Sequence, residues 1–486
     1  MKHFIKITAL ILTALMILFL IAACGGGSQS GNGAGNQNNS GGNNAKTKKT
    51  KTEIRAGVSD GLPDKKYGGM VFNVLVTANN LINGTHEIAV EQSKGDVVGD
   101  AVYDRNGDVS NRFDIKFNYI KKASGGEFSS AVDSSAAAGD NSYDLILGTQ
   151  KDLINSALNG SLSDINKIQN ISIEKEWWGK DTNGTLAVNG KLYMASGDIS
   201  LATWENMFVI YFNEDIIYGN SLKNPVELVN GDAWGFDRFI ELSMAGGRNY
   251  SGYVSSTANH SEQYIVSLNM GVTKDGDDGF PALDFYKEKT KKVAGRLKEL
   301  FASKNIIRND ALSNPGAKTF PTEFTGGGTL FMGAFLGDAV NVRAAAKNNV
   351  GIIPYPKYDE YQEKYFTTVL NSATMASFTK DVKDAEMSGI ITEALCAGGY
   401  KTAVLAYYES ALAKAAGRDD ASEDMLDILR GGLRYNFGLS HSFLLNNIAE
   451  ILEDVAGNFE ETYKANEAEY KSSLASLISA YKAAAN

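Results

Sequence analysis

Three short runs of almost unbroken apolar residues constrain this chain most: M-V-F-N-V-L-V-T-A-N-N (70–80), S-Y-D-L-I-L-G-T-Q (142–150) and N-M-F-V-I-Y-F-N-E-D (206–215). A strand buried on both faces reads this way, because neither side alternates with polar residues. Residues 100–113 have helical spacing, with Val102, Val109 and Phe113 on one side, and I-K-F-N-Y-I (115–120) alternates like a strand. Strands alternating with helices imply a parallel sheet and the α/β class. G-K-L-Y-M-A-S-G-D (190–198) reads as a new strand region, and G-Y-V-S-S-T-A-N-H (252–260) as a strand with its loop. Residues 224–239 are a loop running into a helix, and 283–303 form a basic amphipathic helix. A Gly-led strand at 326–335, a strand broken by two prolines at 349–358 and an extended stretch at 365–378 follow. Beyond Lys380 the chain is almost wholly helical, and no internal repeat is present.

Residues 67–486 are too many for one ordinary core, which predicts two domains. A hydrophobic content of 43% and a charged content of 21% fit a globular protein. The net charge of −10 excludes the basic face that nucleic-acid binding needs. No nucleophile elbow, H-E-x-x-H or phosphate-binding loop occurs, and Gly326-Gly327-Gly328 lacks the lysine that would follow in the last of these. Asp275-Gly-Asp277-Asp278-Gly279 and Asp104-Arg-Asn106-Gly-Asp108 both miss the ligand spacing of a calcium loop and read as turns or helix surface. Four histidines make a zinc or manganese site a poor fit, so no cofactor is expected.

The N-terminus carries Lys2 and Lys6, then no charge from Thr8 to Ala23. That run is slightly short for a membrane span and ends in small residues, the layout of a signal peptide. Leu20-Ile21-Ala22-Ala23-Cys24-Gly25 looks like a bacterial lipoprotein box. This implies that residues 1–23 are removed and that acyl chains, palmitate among them, anchor Cys24 to the outer face of the cytoplasmic membrane. Residues 24–66, rich in Gly, Asn, Ser and Lys, read as a disordered tether. The other cysteine, Cys396, then has no partner for a disulfide and reads as a small apolar residue on a helix.

Four segments taken in order carry a resemblance: Y-D-L-I-L-G-T-Q; N-G-K-L-Y-M followed by V-I-Y-F-N-E-D; P-V-E-L-V-N-G-D-A-W-G-F-D-R-F; and G-I-I-P-Y-P-K-Y-D-E-Y-Q. Together they resemble the extracellular solute-binding proteins of bacterial ABC importers, family 1, the carbohydrate-binding type. The resemblance implies a monomeric, non-enzymatic receptor with a periplasmic-binding-protein-like fold of class II, its two α/β lobes joined by hinge strands. The chain would cross between lobes near 199–206, 328–333 and 366–378. Lobe 1 would hold 67–202 and 332–370, and lobe 2 would hold 203–331 and 371–486. A solute, most simply a sugar, would bind in the cleft and pass to a permease.

Strand ends facing such a cleft give the candidate ligand contacts Asn79, Asn80, Thr149, Gln150, Asp198, Trp204, Glu205, Asn259, His260, Phe335 and Asn371. Amides and carboxylates offer the donors and acceptors that hydroxyls need, and a Trp or Phe face can cover a pyranose. Trp177 and Trp178 read either as rim platforms or as packing against a loop, and Trp234 as core. Two further readings stay open: the same fold binding a peptide or other polar solute, and a surface glycoside hydrolase using carboxylates such as Asp198 and Glu205.

Overall fold

The apolar runs pair with one another in two sheets. The computed structural model describes residues 51–78, 88–90, 92–93, 95–246, 249–256, 261–309, 320–412, 420–453 and 457–484. In chain order the strands among them are β1 (Met70–Thr77), β2 (Ile115–Lys122), β3 (Leu145–Thr149), β4 (Phe208–Asn213), β5 (Ser251–Ser256), β6 (Thr273–Asp275), β7 (Pro281–Leu283), β8 (Ile306–Asn309), β9 (Thr329–Phe335), β10 (Val350–Ile353) and β11 (Thr374–Ser377). The first sheet has the order β11-β3-β1-β2, with β1 parallel to β2 and β3, and β11 antiparallel. The second has the order β10-β4-β9-β5-β8; β5 runs parallel to β8 and β9, while β4 is antiparallel to both its neighbours. β6 and β7 form a separate antiparallel pair.

Central position explains the apolar runs. β4 and β9 are buried along their whole lengths. Phe208, Phe331 and Phe335 are fully buried, each contributing roughly 2 kcal/mol over an exposed position. Gly333 is required in β9, because a Cβ there would stand against the hydroxyls of Tyr253 and Tyr355, which lie 3.2 Å apart in a hydrogen bond. The helix Val97–Phe113 joins β1 to β2. Asp96 caps its start by accepting from the Gly99 N–H, and Asp114 ends it in the left-handed region.

Three expectations are corrected here. Residues 51–66, expected inside the disordered tether, pack on the body instead: the helix Lys51–Ala56 buries Arg55, whose guanidinium lies 4.8 Å from the Tyr400 ring, Asp60 accepts from Arg112, and Val58 and Leu62 pack against the first-sheet core. Residues 190–198 form no strand, only bridges Val188–Lys191 and Ala195–Ala376. The segments 332–370 and 371–486 also divide differently from expectation. β9 and β10 stay in the second sheet, one on each side of β4, while β11 and the helix Ala385–Lys401 join the first. The reason is non-local: β4 is buried along its whole length, and both its edges must be covered. What the expectation did locate is a meeting point. Leu336 donates to the Met207 carbonyl at 2.9 Å and Phe208 to that of Thr368 at 3.3 Å; Ser372 Oγ lies 3.2 Å from Asn206 Oδ1. Chain passages at 205–208, 335–338 and 367–373 therefore lie side by side between the sheets.

The last helix, Phe459–Ala484, belongs to both cores. Tyr463, Tyr470, Leu474 and Leu477 belong to the cluster that holds Phe208 of β4 and Phe331 of β9, whereas Tyr481 lies 5.9 Å from Tyr193 in a cluster with Leu75 and Ile146 of the first sheet. Tyr481 is held by His441, whose Nε2 lies 2.8 Å from the hydroxyl while Nδ1 lies 2.8 Å from the Phe437 carbonyl. The carbonyl can only accept, so Nδ1 carries the proton and Nε2 accepts from the tyrosine. Burial pushes the His441 pKa down to about 4, against the opposing pull of the Phe437 carbonyl. The neutral ring is the form that folding favours. Its contribution is therefore complete above the unfolded value near 6.5 and is lost as pH falls towards 4. Urea unfolding should show the protein losing roughly 3 kcal/mol more than a His441→Gln variant between pH 7 and pH 4; equal losses would refute this assignment.

Candidate ligand site

Short irregular segments beside the chain crossing gather an unusual density of aromatic and charged groups. The 3-10 turn Glu176–Trp178 and the one-turn helix Ala202–Glu205 bring in Trp177, Trp178 and Trp204, and the helix Asp420–Gly432 brings Arg430. Asp198 is 5% exposed and sits among them. One of its oxygens accepts from the Trp204 indole at 3.2 Å, the other from the Arg430 guanidinium at 2.6 Å. Arg430 also donates to the Glu176 carbonyl at 2.7 Å, and its guanidinium lies 5.3 Å from the Trp204 ring and 5.1 Å from that of Tyr400. Tyr408 meets the Trp204 ring edge-on at 5.1 Å. Burial opposes charge on Arg430, but Asp198 and the tyrosines outweigh it, and its pKa rises.

Beneath this layer, Glu393 receives both neighbouring indoles: Trp177 Nε1 at 3.0 Å and Trp178 Nε1 at 2.6 Å, with the Ser172 N–H at 3.2 Å. Burial raises the Glu393 pKa, and these donors limit the rise. Asn183 then ties the loop by donating to the Ser196 carbonyl and accepting from its N–H, each at 2.8 Å. Trp177 and Trp178 are thus packed inside, not on a rim, and Trp234 is core, its indole donating to the Pro354 carbonyl. The open space bounded by Trp178, Asp198, Trp204 and Arg430 is about 30 Å3, room for a water or two and too small for a sugar ring.

The sequence candidates fall into neighbouring sets. Thr149, Gln150 and Asn371 form one. Thr149 caps the helix Gln150–Leu158, Gln150 Nε2 donates to Ser440 Oγ at 3.0 Å, and the Asn371 carbonyl accepts from the Lys151 N–H at 3.1 Å. Asp198, Trp204 and Glu205 form the second, all buried. Phe335 stands apart in the second sheet, its ring 4.8 Å from Phe208, but the next residue is bonded to Met207. The Ser372–Asn206 and Leu336–Met207 bonds join the three sets at the crossing. Asn79, Asn80, Asn259, His260 and Cys24 lie outside the described residues. Arg430, Tyr400, Tyr408 and Glu393 are additions that the sequence did not mark. All four come from the C-terminal helices, where each reads as an ordinary member of an amphipathic face.

Chemically, this arrangement can hold and orient, with no free nucleophile displayed: both Asp198 oxygens are occupied. Among the described residues no three His, Cys, Asp or Glu side chains lie close enough to hold a metal ion, and no helix is long and apolar enough to cross a membrane. Arg430→Met should leave the Asp198 carboxylate buried with only the indole. Stability should fall by about 3 kcal/mol in urea unfolding, and adding Asp198→Asn should restore much of it. Additive losses would show that the pair is not coupled.

No protein-family model matches the chain, and no curated protein matches it by sequence. Solved structures do match. The galacto-N-biose/lacto-N-biose I-binding protein of a Bifidobacterium longum ABC transporter, in complex with lacto-N-biose, aligns over 84% of this chain and 98% of its own at 14% identity and a TM-score of 0.55. An ABC substrate-binding protein from Listeria monocytogenes, in complex with cycloalternan, covers the same shares at 14% identity and 0.50. UgpB from Mycobacterium tuberculosis, in complex with glycerophosphocholine, covers 85% of this chain and 100% of its own at 13% identity and 0.52. The chain has the two-lobe α/β fold of ABC-transporter solute-binding proteins.

Proposed function

We propose that this protein is a solute-binding receptor that captures a carbohydrate, most simply an oligosaccharide, between its lobes and delivers it to an ABC permease. The observation that carries the reading is the convergence of three chain passages between two sheets, at 205–208, 335–338 and 367–373. Such passages can flex while the sheets stay rigid, and a permease can distinguish open from closed lobes. Two of the structural neighbours were solved with saccharides. Gln150, just beyond β3, and Asn371, bonded to the next residue, carry amides of the kind that hydroxyls use. The mature protein would be a monomer held outside the cell by lipid on Cys24. Its role is binding, not turnover.

A second reading has support of its own. The neighbour solved with glycerophosphocholine holds a solute that is not a saccharide, so the same fold can serve another polar solute here. Thermal melting against a panel of mono- and oligosaccharides, peptides and glycerophosphodiesters separates the readings. The cognate ligand at a hundredfold excess over its Kd should add about 2.7 kcal/mol. A response confined to peptides or phosphodiesters would replace the sugar reading, and sugar hydrolysis over hours would replace the receptor. Cys24→Ala should move the protein from membranes to the soluble fraction.

A further inference from the structure

The outer edge of the first sheet carries a groove that the interlobe reading does not use. It lies between the helix Val97–Phe113 and β2, the edge strand farthest from β11, and has a volume of about 850 Å3. Two parallel rings of β2, Phe117 and Tyr119, line it; their centroids are 5.8 Å apart and the planes differ by 11°. Tyr103, 39% exposed, adds a third aromatic ring. Along the helix, Asp104, Asp108 and Asn111 stand at intervals of four and three, hence on one face. Among the described residues none of these three side chains has a hydrogen bond or an ion pair.

Gly107 is the second observation. It sits mid-helix, where glycine weakens a helix relative to any ordinary residue. Packing gives no reason for it: a Cβ at Gly107 would meet nothing within 4 Å. The space it leaves belongs to the groove. A mid-helix glycine without an internal neighbour is accounted for if something outside the chain approaches the helix backbone there.

We propose that this groove is a second carbohydrate site, holding a pyranose unit of a longer glycan on the outside of the first lobe. The aromatic rings cover the apolar face of the sugar. The two carboxylates accept from its hydroxyls, and the Asn111 amide both donates and accepts. A small organic cation would use the rings and carboxylates but leave the amide donors idle. The site is independent of what the cleft holds.

Native gel electrophoresis through soluble starch, xylan, galactomannan or β-glucan tests this on the full-length mature chain. At least one polysaccharide should retard the protein. Gly107→Leu should raise the melting temperature, since leucine favours the helix and its Cβ meets no neighbour, yet weaken retardation at least fivefold by filling the groove. Tyr103→Ala with Asp108→Asn should do the same without the gain in melting temperature. Gln150→Ala should keep retardation, even where it abolishes melting shifts by small sugars. An unretarded wild-type protein, a Gly107→Leu variant retarded as strongly as wild type, or retardation abolished by choline chloride would each overturn the proposal.

Discussion

Everything in this fold hangs on a few backbone hydrogen bonds between passages far apart in sequence. Met207 accepts from Leu336, and Phe208 donates to Thr368 and accepts from the Thr367 hydroxyl at 3.1 Å. These bonds set where one sheet stops and the other begins. They also bring Asp198, Trp204, Gln150 and Asn371 into one neighbourhood, although their positions span the middle half of the chain. Satisfied main-chain groups at such a junction can rearrange only as a set, which makes it a joint and not a floppy linker.

The division between what the residues disclose and what they hide follows contact distance. β1, β3 and β4 were legible because a strand covered on both faces has to be apolar throughout, a local property. The helix Glu288–Ala302 was legible for the same reason, since its period is written in adjacent turns. Sheet membership was not. β9 and β10 carry apolar runs that would suit either sheet, and only pairing with β4 decides. K-L-Y-M-A-S-G-D looked like a strand because its apolar residues are buried, but they are shared between two clusters, Leu192 and Ala195 with Trp177 and Trp178, Tyr193 and Met194 with Tyr481. The two-lobe class was recoverable because several weak segments in a fixed order constrain topology more than any one of them.

The site shows the same limit. Trp204 was legible as unusual, a large aromatic beside a crossing. Its guanidinium neighbour was not, because Arg430 lies on a helix whose sequence reads as surface. A pairing between Asp198 and Arg430 across so much chain leaves no trace in either local pattern. The double indole grip on Glu393 is equally silent: W-W at 177–178 reads as stickiness, and only the fold supplies the acceptor. Identity of 12–14% to proteins that share the fold makes the same point, since packing is retained while the groups that meet a ligand are free to differ.

The C-terminal helix bears on how the molecule is made. Tyr463, Tyr470 and Leu474 fill a core whose first strand begins at Phe208, and Tyr481 reaches the other core. Neither core is complete until this helix has docked. A single helix that serves two cores ties their stabilities together, so loosening it at either end should weaken both halves of the molecule at once.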